Sequence, residues 1–477
     1  MHNHTVSNLG EIAADVMTTA EVIESIALQR ASTPNPLPLP LPLPLPLPLL
    51  AAKSVIPGSD AAVKLLGRVN TQRFEACPST TRADTGGSCS VLPCDAWRGP
   101  GVSCVGGKCV CPAGQCVSWK GECTLQGAIG FDWPASGVSF LVEGTGSVGV
   151  LINGDGADFV VEIDNTSPGR RFSTTADTSE VYTLANFTSA APAAPAERRL
   201  VTLMRATEYT TKGTVLQRIM LWGNISLAPP PSSPTPTSPS PPRPAVPAPA
   251  EKAGPLHLEF FGDSDTAGYC ILGTPLSLGT QKYEDATQGY ARRVADGLEA
   301  SSYHIEAISG LGVYQNAFAC GSKVMPKYWN QTLQVDATPK GGEWNFSRYT
   351  PTAVVVYLGS NDWAAVTDPP RAKFRQSYRA MLDAMIASYP SSPRPAIINV
   401  CGGWSKARQE PCPDILNVTR TLQEEGFSNT YYVEVPGNLT LKEDLGCMNH
   451  RNVQGQVKVA NYLLPRFKAI LRAHSHA

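Results

Sequence analysis

The chain has 477 residues, too long for one ordinary hydrophobic core, so two or three domains with linkers are expected. Its 39 basic and 40 acidic residues nearly cancel and form no block of one sign, which argues against nucleic acid or an anionic membrane as partner. The 42 prolines gather in two tracts, where extended polyproline II replaces packed structure.

Residues 1–70 read as a low-complexity, disordered segment. Glu11, Asp15, Glu21 and Glu24 interrupt the first thirty residues, so no basic region followed by an apolar run marks an export signal there. The Leu-Pro repeat over 37–48 is apolar, but its alternating prolines lack backbone donors and cannot form a spanning helix. No membrane insertion is expected.

Eight of the thirteen cysteines fall between Cys77 and Cys123. No histidine lies among them and two separated Cys-x-x-Cys pairs are missing, which favours disulfides over a zinc cluster. Residues 77–123 therefore read as a small module held by bridges, with the Cys109-Val110-Cys111 step common in EGF-like modules. A wall component or another extracellular partner is the expected contact. Disulfides imply an oxidising compartment. Asn-x-Ser/Thr acceptors at Asn165, Asn186, Asn224, Asn330, Asn345, Asn417 and Asn438 fit a secreted glycoprotein.

Over 127–227 the period shortens to two: Val138, Phe140 and Val142 alternate, as do Val148, Val150 and Ile152, then Phe159, Val161 and Ile163. An all-β, jelly-roll-like sandwich is expected there, with structural support or carbohydrate binding as alternative roles. A Pro-rich linker over 228–252 follows.

From 255 to 473, apolar runs at 256–261, 305–308, 354–358, 397–400 and 431–435 alternate with helical patterns. Tyr290, Val294 and Leu298 share one helical face, as do Phe374, Tyr378, Met381 and Met385, and then Val453, Val457, Ala460, Leu464 and Phe467. This is the pattern of a three-layer α/β domain with a five-stranded parallel sheet, whose ligands bind beyond the carboxyl ends of the strands. At those ends stand Gly262-Asp263-Ser264, Ser309-Gly310, Gly359-Ser360-Asn361-Asp362 and Gly446-Cys447 followed by His450.

These four blocks, in this order, resemble the SGNH (GDSL) hydrolases. Within that group the Gly-Cys-x-x-His spacing, the preceding sandwich and the segment Ala206-Thr207-Glu208 are most similar to carbohydrate esterase family 2. The resemblance implies Ser264 as nucleophile and His450 as base. It also implies an oxyanion hole from the Ser264 and Gly310 backbone N–H groups and the Asn361 side-chain amide, with a slip to Gly312 as the alternative. It implies no metal and no organic cofactor. The family's usual acid three residues before the histidine is replaced by Cys447, so a Ser-His dyad oriented by a backbone carbonyl is expected, with Asp444 the only nearby carboxylate. Arg451 and Asn449 depart from the family's pattern of proline and aromatic beside the histidine.

Among the loop tryptophans Trp329, Trp344, Trp363 and Trp404, Trp363 is the expected sugar-stacking residue. The implied function is a secreted serine esterase removing O-acetyl groups from polysaccharides such as acetylated xylan or mannan. An esterase acting on another small or lipid ester, and a carbohydrate-binding protein with a degenerate site, are the alternatives. A histidine base would give an acid limb near about 6.5.

Overall fold

The computed structural model describes residues 52–71, 83–90, 92–95, 98, 101–113, 115–118, 121–176, 178–188, 197–208, 213–229, 254–317, 323–334, 342–389 and 393–475. The Leu-Pro tract and the linker beyond residue 229 lie outside them. Residues 52–477 form one compact unit.

Residues 53–70, expected to be disordered, instead carry β1 (Lys53–Val55) and β2 (Val63–Leu66). Three and four residues are too short to show a period. These strands exist because they add to partners far along the chain, as the register below shows.

The cysteine-rich segment follows, with β3 (Asp84–Ser88), β4 (Ser103–Val105) and β5 (Lys108–Val110) in one small sheet. β6 (Gln115–Val117) and β7 (Cys123–Leu125) form a second. Bridges join Cys89 to Cys104, Cys94 to Cys109 and Cys111 to Cys123.

The large antiparallel sheet is built on β8 (Ile129–Phe131), β9 (Gly137–Asn153), β10 (Asp158–Ile163), β11 (Arg170–Ser173), β12 (Glu180–Phe187), β13 (Arg198–Arg205) and β14 (Thr214–Ala228), joined by β1 and β2. The two alternating sets at 138–142 and 148–152 lie on the single 17-residue strand β9. Its first part pairs with β2 and β13, its second with β12, and β14 runs beside both. The even-numbered residues Val138, Phe140, Val142, Val148, Val150 and Ile152 all enter one core with Phe131, Phe159, Val201, Leu203 and Ile219. The sheet therefore curls around that core.

The second sheet is parallel and orders as β16 (Ser302–Ala307), β15 (His257–Gly262), β17 (Ala353–Tyr357), β18 (Ala396–Gly402), β19 (Thr430–Val435). Its connections include α1 (Ser264–Ala267), α2 (Tyr290–Gly297), α3 (Arg371–Ser388), α4 (Lys406–Gln409), α5 (Cys412–Glu424) and α6 (Val453–His474). Both sheet faces are covered, which explains strands that are apolar without alternation. Leu258, Phe260, Val355 and Ile398 pack against Tyr290, Val294, Val459, Leu463 and Phe467 on one face. Phe261, Val354, Val356 and Ile397 pack against Phe374, Met381, Ile415 and Leu422 on the other. Among the described residues no helix is long and apolar enough to cross a membrane.

Arg68, just past β2, joins the two sheets. Fully buried, it meets Glu259 at 3.0 Å and Glu306 at 3.3 Å on the parallel strands and donates to the Gln331 carbonyl at 3.0 Å. Trp133 Nε1 donates to the Thr332 carbonyl at 3.1 Å, and Arg292 on α2 pairs with Glu162 on β10 at 3.1 Å. Burial works against ionising Glu259, but the guanidinium of Arg68 holds its carboxyl below the ordinary value, while burial pushes Glu306 well above it. Replacing Arg68 by Met leaves a buried carboxylate unpaired, at about 3–5 kcal/mol of stability. Denaturant unfolding at neutral pH should show that loss. It should shrink as pH falls into the carboxylate range, because Glu259 in the variant then takes up a proton.

Candidate active site

β15 ends at Gly262, and Asp263 turns the chain into α1 as its N-cap, accepting from the Asp265 N–H at 3.0 Å. Ser264 is thereby the first residue of the helix, at the carboxyl end of β15, which lies between β16 and β17. His450 stands between β19 and α6, behind a tight turn in which Gly446 N–H donates to the His450 carbonyl at 2.6 Å. Gly446 is required by close approach: a Cβ there would lie 2.3 Å from the Cys270 carbonyl oxygen.

The structure brings these two side chains together. His450 Nε2 and Ser264 Oγ are 2.8 Å apart, and His450 Nδ1 lies 2.8 Å from the Met448 carbonyl oxygen. The carbonyl can only accept, so Nδ1 carries the proton and Nε2 is left to accept from the serine. Met448 and Asn449 both adopt left-handed backbone, φ 52° and 55°, which turns that carbonyl toward the ring. Asp444 is elsewhere: it caps Leu441 N–H at 2.8 Å and pairs with Lys458 at 2.6 Å.

The remaining blocks converge on the same edge. Gly310 has φ 78°, a conformation open to glycine, and among the described residues nothing accepts its N–H. The alternative donor at Gly312 is engaged, giving its N–H to Asn316 Oδ1 at 3.0 Å. Asn361 Nδ2 donates to the Leu311 carbonyl at 3.0 Å and lies 3.3 Å from Asp263 Oδ2. Asp263 Oδ2 also accepts from Ser360 Oγ at 2.5 Å, so one carboxylate organises both the Ser264 turn and the Asn361 turn. Asp362 holds the intervening loop by accepting from the N–H groups of Val313, Tyr314 and Gln315 at 2.7–2.9 Å.

Trp363 does not line the site. It is 8% exposed and packs edge-on against Phe374 in the core, and Trp329 and Trp344 are likewise buried. A tryptophan one turn past a strand end has a core within reach, and burying its large apolar surface outweighs exposing it. Trp404, after β18, is the tryptophan beside the site: Arg408 and Arg451 approach its ring at 4.1 and 4.3 Å.

Sequence reasoning also missed the pair beneath the dyad. Asp265 follows Ser264, Arg451 follows His450, and their side chains form a buried ion pair. Gln456 Nε2 adds a bond to the Asp265 carbonyl at 3.0 Å, and Arg451 Nε donates to Thr440 at 3.0 Å. The available signal was Arg451 itself, a residue out of pattern. The Cys270–Cys447 bridge ties the same two segments, and Cys401–Cys412 braces the β18 loop.

Two side-chain groups could in principle hold a metal ion among the described residues. Cys89, Cys94 and Cys109 are consumed by disulfides, and Arg68 brings positive charge into the cluster of Glu259, His304 and Glu306. Neither suits a cation.

Residues 260–436 match the GDSL-like Lipase/Acylhydrolase family. Over 184 residues, 38% of the chain, the sequence is 32% identical to the cellulase/esterase CelE of Acetivibrio thermocellus, and the match spans 21% of that relative's length. A family two carbohydrate esterase from Clostridium thermocellum, solved with cellohexaose, is similar in fold: TM-score 0.57, 24% identity, 72% of this chain and 95% of that one. So is an acetyl xylan esterase from the rumen bacterium Butyrivibrio proteoclasticus, with TM-score 0.61, 16% identity, and 88% and 98% coverage.

Burial and then the Arg408 guanidinium lower the His450 pKa below that of free imidazole. A histidine that serves as base must be neutral, so kcat/KM on a small ester should persist below pH about 6.5 before falling. Arg408→Gln removes a cation that disfavours imidazolium. The acid limb should then move to higher pH, as a pH–rate profile of the variant would record.

Proposed function

We propose that this protein is a secreted serine esterase that removes O-acetyl groups from polysaccharide. The observation that carries this reading is the Ser264–His450 contact at 2.8 Å with the far ring nitrogen held by a main-chain carbonyl. A serine hydroxyl is a weak nucleophile until a base stands within hydrogen-bond reach, and here one does.

In the proposed reaction Ser264 Oγ attacks the acetyl carbonyl carbon while its proton passes to His450 Nε2. The negative charge that develops on the acyl oxygen is taken up by the N–H groups of Ser264 and Gly310, and by the Asn361 amide as its longer 3.3 Å bond to Asp263 Oδ2 is exchanged for the oxyanion. His450 then returns the proton to the departing sugar hydroxyl, and the ester C–O bond breaks. Water, deprotonated by His450, attacks the acetyl-enzyme, and acetate leaves as Ser264 recovers its proton. The charge on imidazolium is shared with the Met448 carbonyl dipole rather than with a carboxylate.

Acetyl as the transferred group is supported by similarity to proteins described as acetyl xylan and family two carbohydrate esterases. An extracellular location is supported by the bridges and by acceptor asparagines, of which Asn165, Asn186, Asn224, Asn345, Asn417 and Asn438 are exposed. The cysteine-rich segment would contact a wall component. A second reading, an apolar ester, is favoured by Met448, 61% exposed beside His450, and by Leu276 and Leu278 on the neighbouring loop, 63% and 78% exposed.

Acetate release from acetylated xylan and glucomannan, measured beside acetyl, butyryl and long-chain aryl esters, separates the two. The expected result is turnover of the polysaccharides and the acetyl ester, weak activity on butyryl and almost none on long chains. Ser264→Ala should lower kcat by about 10³-fold or more. A preference for long chains would favour the apolar ester, and full turnover by a folded Ser264→Ala protein would remove Ser264 from the reaction.

A further inference from the structure

The curled sheet reaches the candidate site through one side chain. After β13 the chain passes through Ala206, Thr207 and Glu208, and Glu208 Oε2 accepts from the backbone N–H of Ser309 at 2.6 Å. Ser309 directly precedes Gly310, whose N–H is the candidate oxyanion donor. The bond therefore fixes the peptide on one side of Gly310, while Asp362 holds Val313 to Gln315 on the other.

Glu208 is itself held on every side. Its N–H donates to Glu284 Oε1 at 2.5 Å and its carbonyl accepts from Arg205 Nη2 at 3.1 Å. Its neighbours are tied to the same segment of the hydrolase domain: Ala286 N–H donates to the Ala206 carbonyl at 2.8 Å, and Gln281 Nε2 to Thr207 Oγ1 at 3.1 Å. Two carboxyls so buried resist ionisation together. Burial pushes Glu208 up to about 7, and burial together with the Glu208 charge pushes Glu284 well above its ordinary value. A carboxylate is costly to bury unless its bonds are used. A solvent-facing serine or asparagine would satisfy one loop N–H more cheaply, so the placement points to the fixed position of a buried acceptor held by its own main chain on both sides.

We infer that Glu208 is a positioning residue for acyl transfer, through which the N-terminal β-rich region fixes the Gly310 N–H against the developing oxyanion. The inference rests on the acyl-transfer reading above. Because the donor matters most where charge develops, its misplacement should appear in kcat more than in KM.

The test compares the full chain with Glu208→Ala and Glu208→Gln on a small aryl acetate, alongside amide hydrogen exchange of the peptide containing Ser309 and Gly310. Glu208→Ala should lower kcat about 10–100-fold, less than outright loss of an oxyanion donor, with KM within about threefold. Exchange over 309–316 should quicken at least about tenfold. Glu208→Gln keeps an oxygen acceptor and should recover most of kcat and slow the exchange again. An alanine variant with wild-type kcat, a loss confined to KM, or a glutamine variant as impaired as the alanine one despite an unchanged melting temperature would overturn the inference while leaving the esterase reading intact. A wild-type protein that turns over no ester would overturn the esterase reading itself, and this inference with it.

Discussion

The ion pair between Asp265 and Arg451 is the contact on which the site depends, because each partner is the chain neighbour of one member of the Ser264–His450 pair. Ser264 and His450 are 186 residues apart in the chain, and their hydrogen bond survives only if two loops from different strands are held in register. Two buried charges next to them, with Gln456 and Thr440 filling the remaining donor and acceptor sites, set that register more tightly than apolar contacts would. Such a pair adds little net stability, since desolvation offsets its attraction, but it penalises any arrangement that separates the partners. Arg408, 3.7 Å from Asp265, extends the same cluster toward His450 and adds to the lowering that burial imposes on its affinity for protons.

Within that frame a backbone carbonyl can orient the histidine. A carboxylate would supply charge as well as direction. A carbonyl supplies direction alone, so the turn that carries it must be rigid. The 447–450 turn is made rigid by the Cys270–Cys447 bridge, by two residues in left-handed backbone and by the Gly446 N–H to His450 carbonyl bond. The Gly310 side follows the same design, with Asp263, Asp362 and Glu208 each committing a carboxylate to backbone or turn geometry. The carboxylates of this site mostly build it. The curled sheet, joined through Arg68 and Glu208, is thus continuous with the hydrolase domain rather than a module tethered beside it.

The parallel domain was legible because its strands are buried on both faces and so read as short apolar runs, and because Ser264, Gly310, Asn361 and His450 each sit where such a run stops. Strand limits moved by one to three residues, as for 305–308 against Ser302–Ala307, where Ser302 and His304 hid the start. α5 escaped notice because Pro413 stands in its first turn, a position a helix tolerates but a scan for breakers does not. β1 and β2 were invisible because their stability lies in β14 and β9. Trp363 was misplaced for a related reason: a sequence shows that a ring is near a loop, but whether Phe374 covers it depends on a helix eleven residues on. Asp265 with Arg451, and Glu208 with Ser309, join residues far apart in the chain, and no local pattern carries them.

The Ser264–His450 pair requires that the Met448 carbonyl orient His450 without help from a carboxylate. The direct measurement is kcat/KM of Asp444→Asn on a small acetyl ester, beside His450→Ala. Asp444→Asn should cost less than about tenfold and His450→Ala about 10³-fold or more, whereas a loss near about 10⁴-fold in Asp444→Asn, the size seen when a true triad acid is neutralised, would contradict the carbonyl-held pair.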